Sequence, residues 1–195
     1  MERSNKMEER ALDQLRVILE RQGVKSERIE SQENTEKYLS VKIGDRKVIL
    51  SRKQKIVEKD IVAWLETESP FVLITQTKPS QNIEQAIRTY LAKGSIQLYF
   101  HLRELQFDVT QHRMFPPHFL FNDIFKKAHP EIVEKFERFR MKNPEEELPR
   151  IDCMDIGARL VGAKSGEIVY IQRYSDTGGY VPYWRRVVTD ANVDQ

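Results

Sequence analysis

Met7, Ala11, Leu15, Ile18 and Leu19 recur at helical spacing, Glu8 and Glu9 stand in the first turn, and Gly23 is placed to end the helix. The polar stretch from Lys25 to Lys37 breaks this period and reads as a loop. Tyr38 to Ile43 then alternates, and Lys47 to Leu50 follows across Gly44 and Asp45, which predicts a hairpin. Ile56, Val57, Ile61, Trp64 and Leu65 mark a second helix. Phe71 to Thr75 is a short apolar run of the buried-strand type. Ser80 is placed to cap a third helix carrying Ile83, Ala86, Ile87, Tyr90 and Leu91, which Gly94 ends before the alternating Ser95 to Leu102. A helix, two strands, and a further helix, strand, helix and strand predict an α/β layer over residues 1–105.

From Gln106 the texture changes. The segment from Thr110 to Phe121 is apolar but broken by Pro116 and Pro117, Pro130 can open a helix using Ile132, Val133, Phe136 and Phe139, and Met141 to Pro149 reads as a solvated linker. The remaining pattern predicts a short helix capped by Asp155 and ended by Gly162, then two strands joined by a turn at Gly178 and Gly179. The fold class expected is therefore α+β. It comprises a domain over 1–105, a connector over 106–147 and a small helix-and-hairpin module over 148–195, without internal repeats.

Composition narrows the function classes. With 39% hydrophobic residues over 195 positions the chain can bury a core, and a net charge of +2 does not make it a general polyanion binder. One cysteine, Cys153, rules out an internal disulfide framework and suits a reducing compartment. The charged start predicts no signal peptide, and no apolar run approaches the ~20 residues of a membrane span.

Three patterns bear on chemistry. Asp176, Thr177 and Gly178 spell the triplet in which aspartic proteases hold a carboxylate, but Arg173, Tyr174 and Ser175 precede it and no second copy exists to share a proton. Turn chemistry explains the triplet better, with the glycines supplying positive φ. Asp45 and Lys47 spell the carboxylate-lysine pair of metal-dependent nucleases, which would need a further carboxylate on a neighbouring strand; Glu30, Glu33 and Glu36 lie scattered in the polar stretch. His112 and His118 bracket the proline pair without enough ligands for zinc, and are expected to pin the chain there by hydrogen bonds. The basic residues Arg46, Lys47, Arg52, Lys53 and Lys55 fit both a solvated face and an approach to nucleic-acid phosphates.

Leu148, Pro149, Arg150 and Ile151, followed by Asp155, Ala158, Arg159, Gly162, Lys164, Gly166, Ile171, Arg173, Ser175, Thr177, Gly179, Tyr180 and Tyr183, fall in register on one family pattern. That pattern resembles the assembly domain of the fifth common subunit of eukaryotic RNA polymerases and of its archaeal counterpart. Upstream, Val109 to Phe121 resembles the family's T-x-H-x-x-V-P-x-H segment, and Val72 to Ile87 resembles the strand, T-P-S loop and helix of its jaw domain. The departures are Ile156 and Gly157 for Pro-Val, Asp176 for a glutamate, Gly178 for an alanine, and Trp184 for the arginine after Tyr183. Arg185 and Arg186 are the candidates to make that arginine's contacts.

The resemblance implies a non-catalytic subunit of a multi-subunit DNA-directed RNA polymerase, with no cofactor and no metal. It implies docking on the largest subunit through residues among Arg150, Arg159, Lys164, Arg173, Tyr180, Tyr183, His112 and His118. It further implies a nuclease-like but inactive lower jaw whose Thr77, Lys78 and Ser80 lie near downstream duplex DNA, in weak non-specific contact, with no membrane partner. Retention of a jaw together with this divergence points to a eukaryotic source and further to a large DNA virus. The expected place is then the nucleus for a cellular protein, or the host cytoplasm, host nucleus or virion for a viral one. The competing reading is the nuclease using Asp45 and Lys47.

Overall fold

Unbroken apolar runs need cover on both faces, and residues 48–50 and 71–74 find it in the middle of a sheet. In the computed structural model, which describes residues 2–25, 29–68 and 70–189, the chain divides into two units between Gln111 and His112. The first unit opens with helix α1 (Glu2–Arg21) and strands β1 (Ile29–Asn34), β2 (Tyr38–Ile43) and β3 (Arg46–Ser51). Helix α2 (Glu58–Glu68), strand β4 (Phe71–Thr75), helix α3 (Gln81–Ala92) and strand β5 (Ile96–His101) follow, with short 3-10 turns at Leu102–Leu105 and Val109–Gln111. The strand order is β1-β2-β3-β4-β5; β1, β2 and β3 pair antiparallel, whereas β3, β4 and β5 pair parallel through the α2 and α3 crossovers. Val48, Ile49 and Leu50 of β3 and Phe71 to Ile74 of β4 are fully buried, as are Leu15 of α1, Ile61 of α2 and Ile87 of α3.

Strand β1 corrects the loop expected between Lys25 and Lys37. Five of its six residues are exposed, and the pairing with β2 slips between Ser31 and Glu33. A bulged edge strand that faces water carries no apolar alternation, so its sequence looks like a loop. An ion pair ties this edge down. Arg52, just after β3, donates from Nε and Nη2 to the buried carboxylate of Glu8 on α1, at 3.0 and 2.7 Å, and from Nη1 to Asn34 Oδ1 and the Thr35 carbonyl.

The second unit contains strand β6 (His118–Leu120), helices α4 (Asp123–Ala128), α5 (Pro130–Glu137) and α6 (Pro144–Glu147), and strand β7 (Arg150–Asp152). Helix α7 (Ile156–Leu160) and strands β8 (Ile168–Ser175) and β9 (Gly179–Val188) complete it. Its sheet runs β6-β8-β9-β7, with β7 and β9 parallel. One face is aromatic: Phe121, Tyr170 and Trp184 are buried with Leu148, and Phe125, Ile132, Val133, Phe136 and Met141 pack against them. Phe136 lies 4.9 Å from Phe121 and 5.5 Å from Trp184, centroid to centroid. Offset and edge-on pairs at such distances are the favoured aromatic arrangement.

This changes the expected division of the chain. Most of the stretch 106–147 expected to be a connector is integral to the second unit, because β6 hydrogen-bonds to β8 and Phe121 and Phe136 fill the face that Trp184 presents. Proline breaks and solvated residues between these aromatics disguise their shared destination. Residues 190–195 of the expected module lie outside the described residues. Local expectations inside the module fare better. Asp155 accepts the Gly157 N–H at 2.8 Å and so caps α7, and Gly162 takes φ of +68° at its end.

Candidate functional site

Strands β8 and β9 are longer than the sheet that holds them. Strand β6 pairs with β8 only from Val169 to Ile171, and β7 pairs with β9 only from Arg186 to Val188. From Arg173 to Tyr183 the two strands therefore pair only with each other among the described residues, closing on the turn at Asp176 to Gly178. They form a projecting two-stranded arm. Tyr174 and Tyr180 face each other across it at 5.6 Å, edge to face, and are 68% and 65% exposed. On the opposite face the Arg173 guanidinium lies 5.1 Å over the ring of Tyr183, itself 40% exposed. An aromatic pair on one face and a cation-π pair on the other thus stand exposed. An isolated hairpin is marginal in water, and exposed tyrosine and arginine are the residue types that anchor interfaces.

The turn behaves as the sequence suggests, with one difference. Gly179 alone takes positive φ, at +65°, while Gly178 does not. Asp176 is exposed at the tip. Tyr174 is not among the docking residues that the family pattern implies; its register opposite Tyr180 is the signal that finds it, since directly opposed residues on a hairpin share a face.

Other expected docking residues scatter. Arg159, on α7, is only 6% exposed, which removes it from the surface anchors. Short α7 buries Gly157 and Ala158 beside it, and an arginine stem follows them inward. Arg150 is half-buried and its carbonyl accepts from Arg185 Nη1 at 2.9 Å, while Lys164 is exposed in the turn before β8. Trp184 points away from the arm into the aromatic core at 5% exposure. It therefore adds packing and not a surface cation, and Arg185 is engaged with β7.

Both histidines hold the chain near the prolines. His112 Nδ1 accepts the Met114 N–H at 3.2 Å, and His118 donates from Nδ1 to the Pro116 carbonyl at 2.7 Å. His118 is the more buried, and burial pushes its imidazole below the usual value against the pull of that carbonyl and of Asp155. Its ring also covers Gly157: a Cβ there would fall inside van der Waals contact of Nε2, Cδ2 and Cε1. The glycine that stands in place of the family's valine is what lets this ring approach α7.

In the first unit the carboxyl ends of β3, β4 and β5 open on a cleft of about 1240 Å³. Thr77 uses its hydroxyl to hold the loop, donating to the Gln54 carbonyl at 2.7 Å, while Thr75 Oγ1 donates to the Thr77 carbonyl. Lys78 stands exposed on the rim. Ser80 takes the N-cap position of α3 without a side-chain bond, its carbonyl accepting from Glu84 N–H at 2.8 Å. The sequence thus brings Lys78 and Ser80 to one lip. Asp45 and Lys47 lie at the opposite end of the parallel strands, and the Asp45 carboxylate is exposed at the β2–β3 turn, 3.6 Å from Arg46 Nε. Among the described residues no three histidine, cysteine or acidic side chains gather for a metal ion.

A family model described as RNA polymerase Rpb5, C-terminal domain, matches residues 107–187, nearly the whole described second unit. The chain is 34% identical over 85 residues to the DNA-directed RNA polymerase subunit Rpo5 of Pyrococcus horikoshii, covering 94% of that protein and 44% of this one. It is 32% identical over 114 residues to the subunit rpabc1 of DNA-directed RNA polymerases I, II, and III of Dictyostelium discoideum. That match covers 57% of this chain and spans about half, 54%, of the relative. The RPABC1 subunit of Caenorhabditis elegans is 29% identical over 117 residues, across 51% of its length. On the archaeal match, which takes in almost an entire relative, the chain belongs to the family of the fifth common subunit of DNA-directed RNA polymerases.

Proposed function

We propose that this chain is a non-catalytic subunit of a multi-subunit DNA-directed RNA polymerase and docks on the largest subunit through its second unit. The observation that carries the reading is the arm from Arg173 to Tyr183, which projects beyond its own sheet with tyrosines exposed on both faces. A hairpin so poorly covered gains stability when a partner completes it. Tyr174, Tyr180, Tyr183 and Arg173 are the anchors, Lys164 and the exposed edge of Arg150 lie nearer the sheet, and His112 and His118 shape the chain entering β6. The first unit acts as the lower jaw, and Lys78 at the lip of its cleft meets downstream duplex phosphates without reading bases. The protein works inside the cell with its polymerase, and its divergence from the family pattern at Gly157 and Trp184 supports a viral source.

Binding of the full chain to the purified largest subunit tests the docking. Truncating both Tyr180 and Tyr183 to alanine should weaken capture at least tenfold while circular dichroism stays unchanged. Capture that survives the double substitution would remove the arm from the interface. The nuclease alternative is met by incubating the chain with duplex DNA and magnesium or manganese: cleavage that Asp45→Ala abolishes would favour it.

A further inference from the structure

The cleft at the carboxyl ends of β3, β4 and β5 has a composition that phosphate contact does not explain. Its wall includes Ile56, Val57 and Ile83, none fully buried and Val57 52% exposed. Its rim carries Lys55, Lys78 and Arg103, all exposed and without an acidic partner among the described residues. Among those residues no carboxylate lines it. Duplex DNA offers convex rows of phosphates and rewards cations, but gains little from an apolar floor. A small anionic metabolite would be loosely held in about 1240 Å³, above the usual range of roughly 300–1,000 Å³ for such ligands. An amphipathic helix with acidic flanks satisfies both halves of the site, laying apolar side chains on the floor and carboxylates against the rim.

We infer that this cleft is a docking groove for an acidic, amphipathic segment of a second protein. Open parallel-strand ends are where α/β layers place ligands, because the connecting loops diverge there. Charge complementarity sets the partner's sign: three cations around a floor without carboxylates disfavour a basic or neutral segment. Only Lys78 is shared with the phosphate contact proposed above; Lys55, Arg103 and the floor belong to the groove alone. The inference stands on the first unit and does not need the polymerase reading, so its failure would leave the docking arm untouched.

The test is fluorescence anisotropy on the full chain. The probe is a labelled designed peptide of roughly four helical turns, with leucine and phenylalanine at i, i+3, i+4 and i+7 and glutamate elsewhere. Controls are a scrambled peptide of the same composition and a short duplex DNA. The designed peptide should bind saturably, with the scrambled form, Val57→Ser, Lys55→Glu and Arg103→Glu each weakening binding about tenfold or more. All three positions are solvent-exposed, and unchanged circular dichroism verifies folding. Equal binding of the scrambled peptide, binding indifferent to all three substitutions, or no binding at all would overturn the inference. So would duplex DNA that displaces the peptide and itself loses affinity on Val57→Ser, since nucleic acid would then be the occupant.

Discussion

The two units solve the same problem, covering a mixed sheet, with different completeness. In the first, β3 and β4 are both interior strands, and Phe71, Leu73, Ile74 and Ile49 have no exposed surface. The second has four strands, an aromatic cluster of Phe121, Leu148, Tyr170 and Trp184 beside further buried residues such as Val169, Ile171 and Val187, and an arm that no other strand covers among the described residues. A unit of under 80 described residues is near the size at which a single core is marginal. The lesson is that the larger unit is finished by its own helices, whereas the smaller leaves an arm for the proposed partner to finish.

The largest expected break in that contrast is Trp184→Ala. Removing the ring shared by Phe121, Phe136, Phe139 and Tyr170 should cost about 3–5 kcal/mol and abolish the second unit's cooperative transition in a denaturant titration, leaving the first unit's intact. A single common loss would show that the units do not unfold separately. Arg52→Ala is the mirror experiment in the first unit. It strands the Glu8 carboxylate, 5% exposed, and should cost about 3 kcal/mol of the first transition only.

Gly157→Val sharpens the comparison inside the second unit. The added side chain meets the His118 ring and should destabilise by about 1–3 kcal/mol; His118→Ala should return part of that loss in the double variant, giving a coupling above about 0.5 kcal/mol. Additive effects would mean that the ring does not press on α7.

Acid separates the units more gently. His118 has a folded value held below the usual one by burial, so its contribution is present above about pH 6.5 and is lost as the pH falls through that region, when the unfolded chain takes up the proton first. Asp108 is held well below the usual carboxylate range, chiefly by its hydrogen bonds from Arg21, at 2.5 and 3.2 Å, and from Thr110. Its contribution is present above about pH 4 and disappears only as the pH drops further. Melting curves between pH 7 and pH 3 should therefore show the second unit weakening first, and His118→Gln should remove that early phase. An unchanged second transition between pH 7 and pH 5 would contradict the burial of the imidazole.

Which parts of this were legible in sequence follows from periodicity. Helix α1, the β2–β3 hairpin, β4, α3 and the capped α7 carry repeating apolar positions or cap residues such as Asp155 and Gly162, and local physics places them. Strand β1 carries neither, because an exposed edge has no buried face to record. Phe121, Phe136 and Trp184 lie far apart in the chain and meet only through the sheet, so the connector reading could not see them as one core. For the candidate site, Tyr180, Tyr183 and Arg173 were legible through the motif. The burial of Arg159 depends on how α7 packs, and the exposure of Tyr174 on where β6 and β7 stop pairing, and no local pattern encodes either.

That stopping point also sets the division of labour most open to test. A fragment beginning at Asn143 would lose β6, Phe121 and Phe136, so the division belongs between Gln111 and His112. The decisive measurement is capture of the largest polymerase subunit by residues 1–111 and by residues 112–195, each purified separately. Capture by 112–195 alone, lost on truncation of Tyr180 and Tyr183, is the predicted result; capture by 1–111 with none by 112–195 would contradict the account.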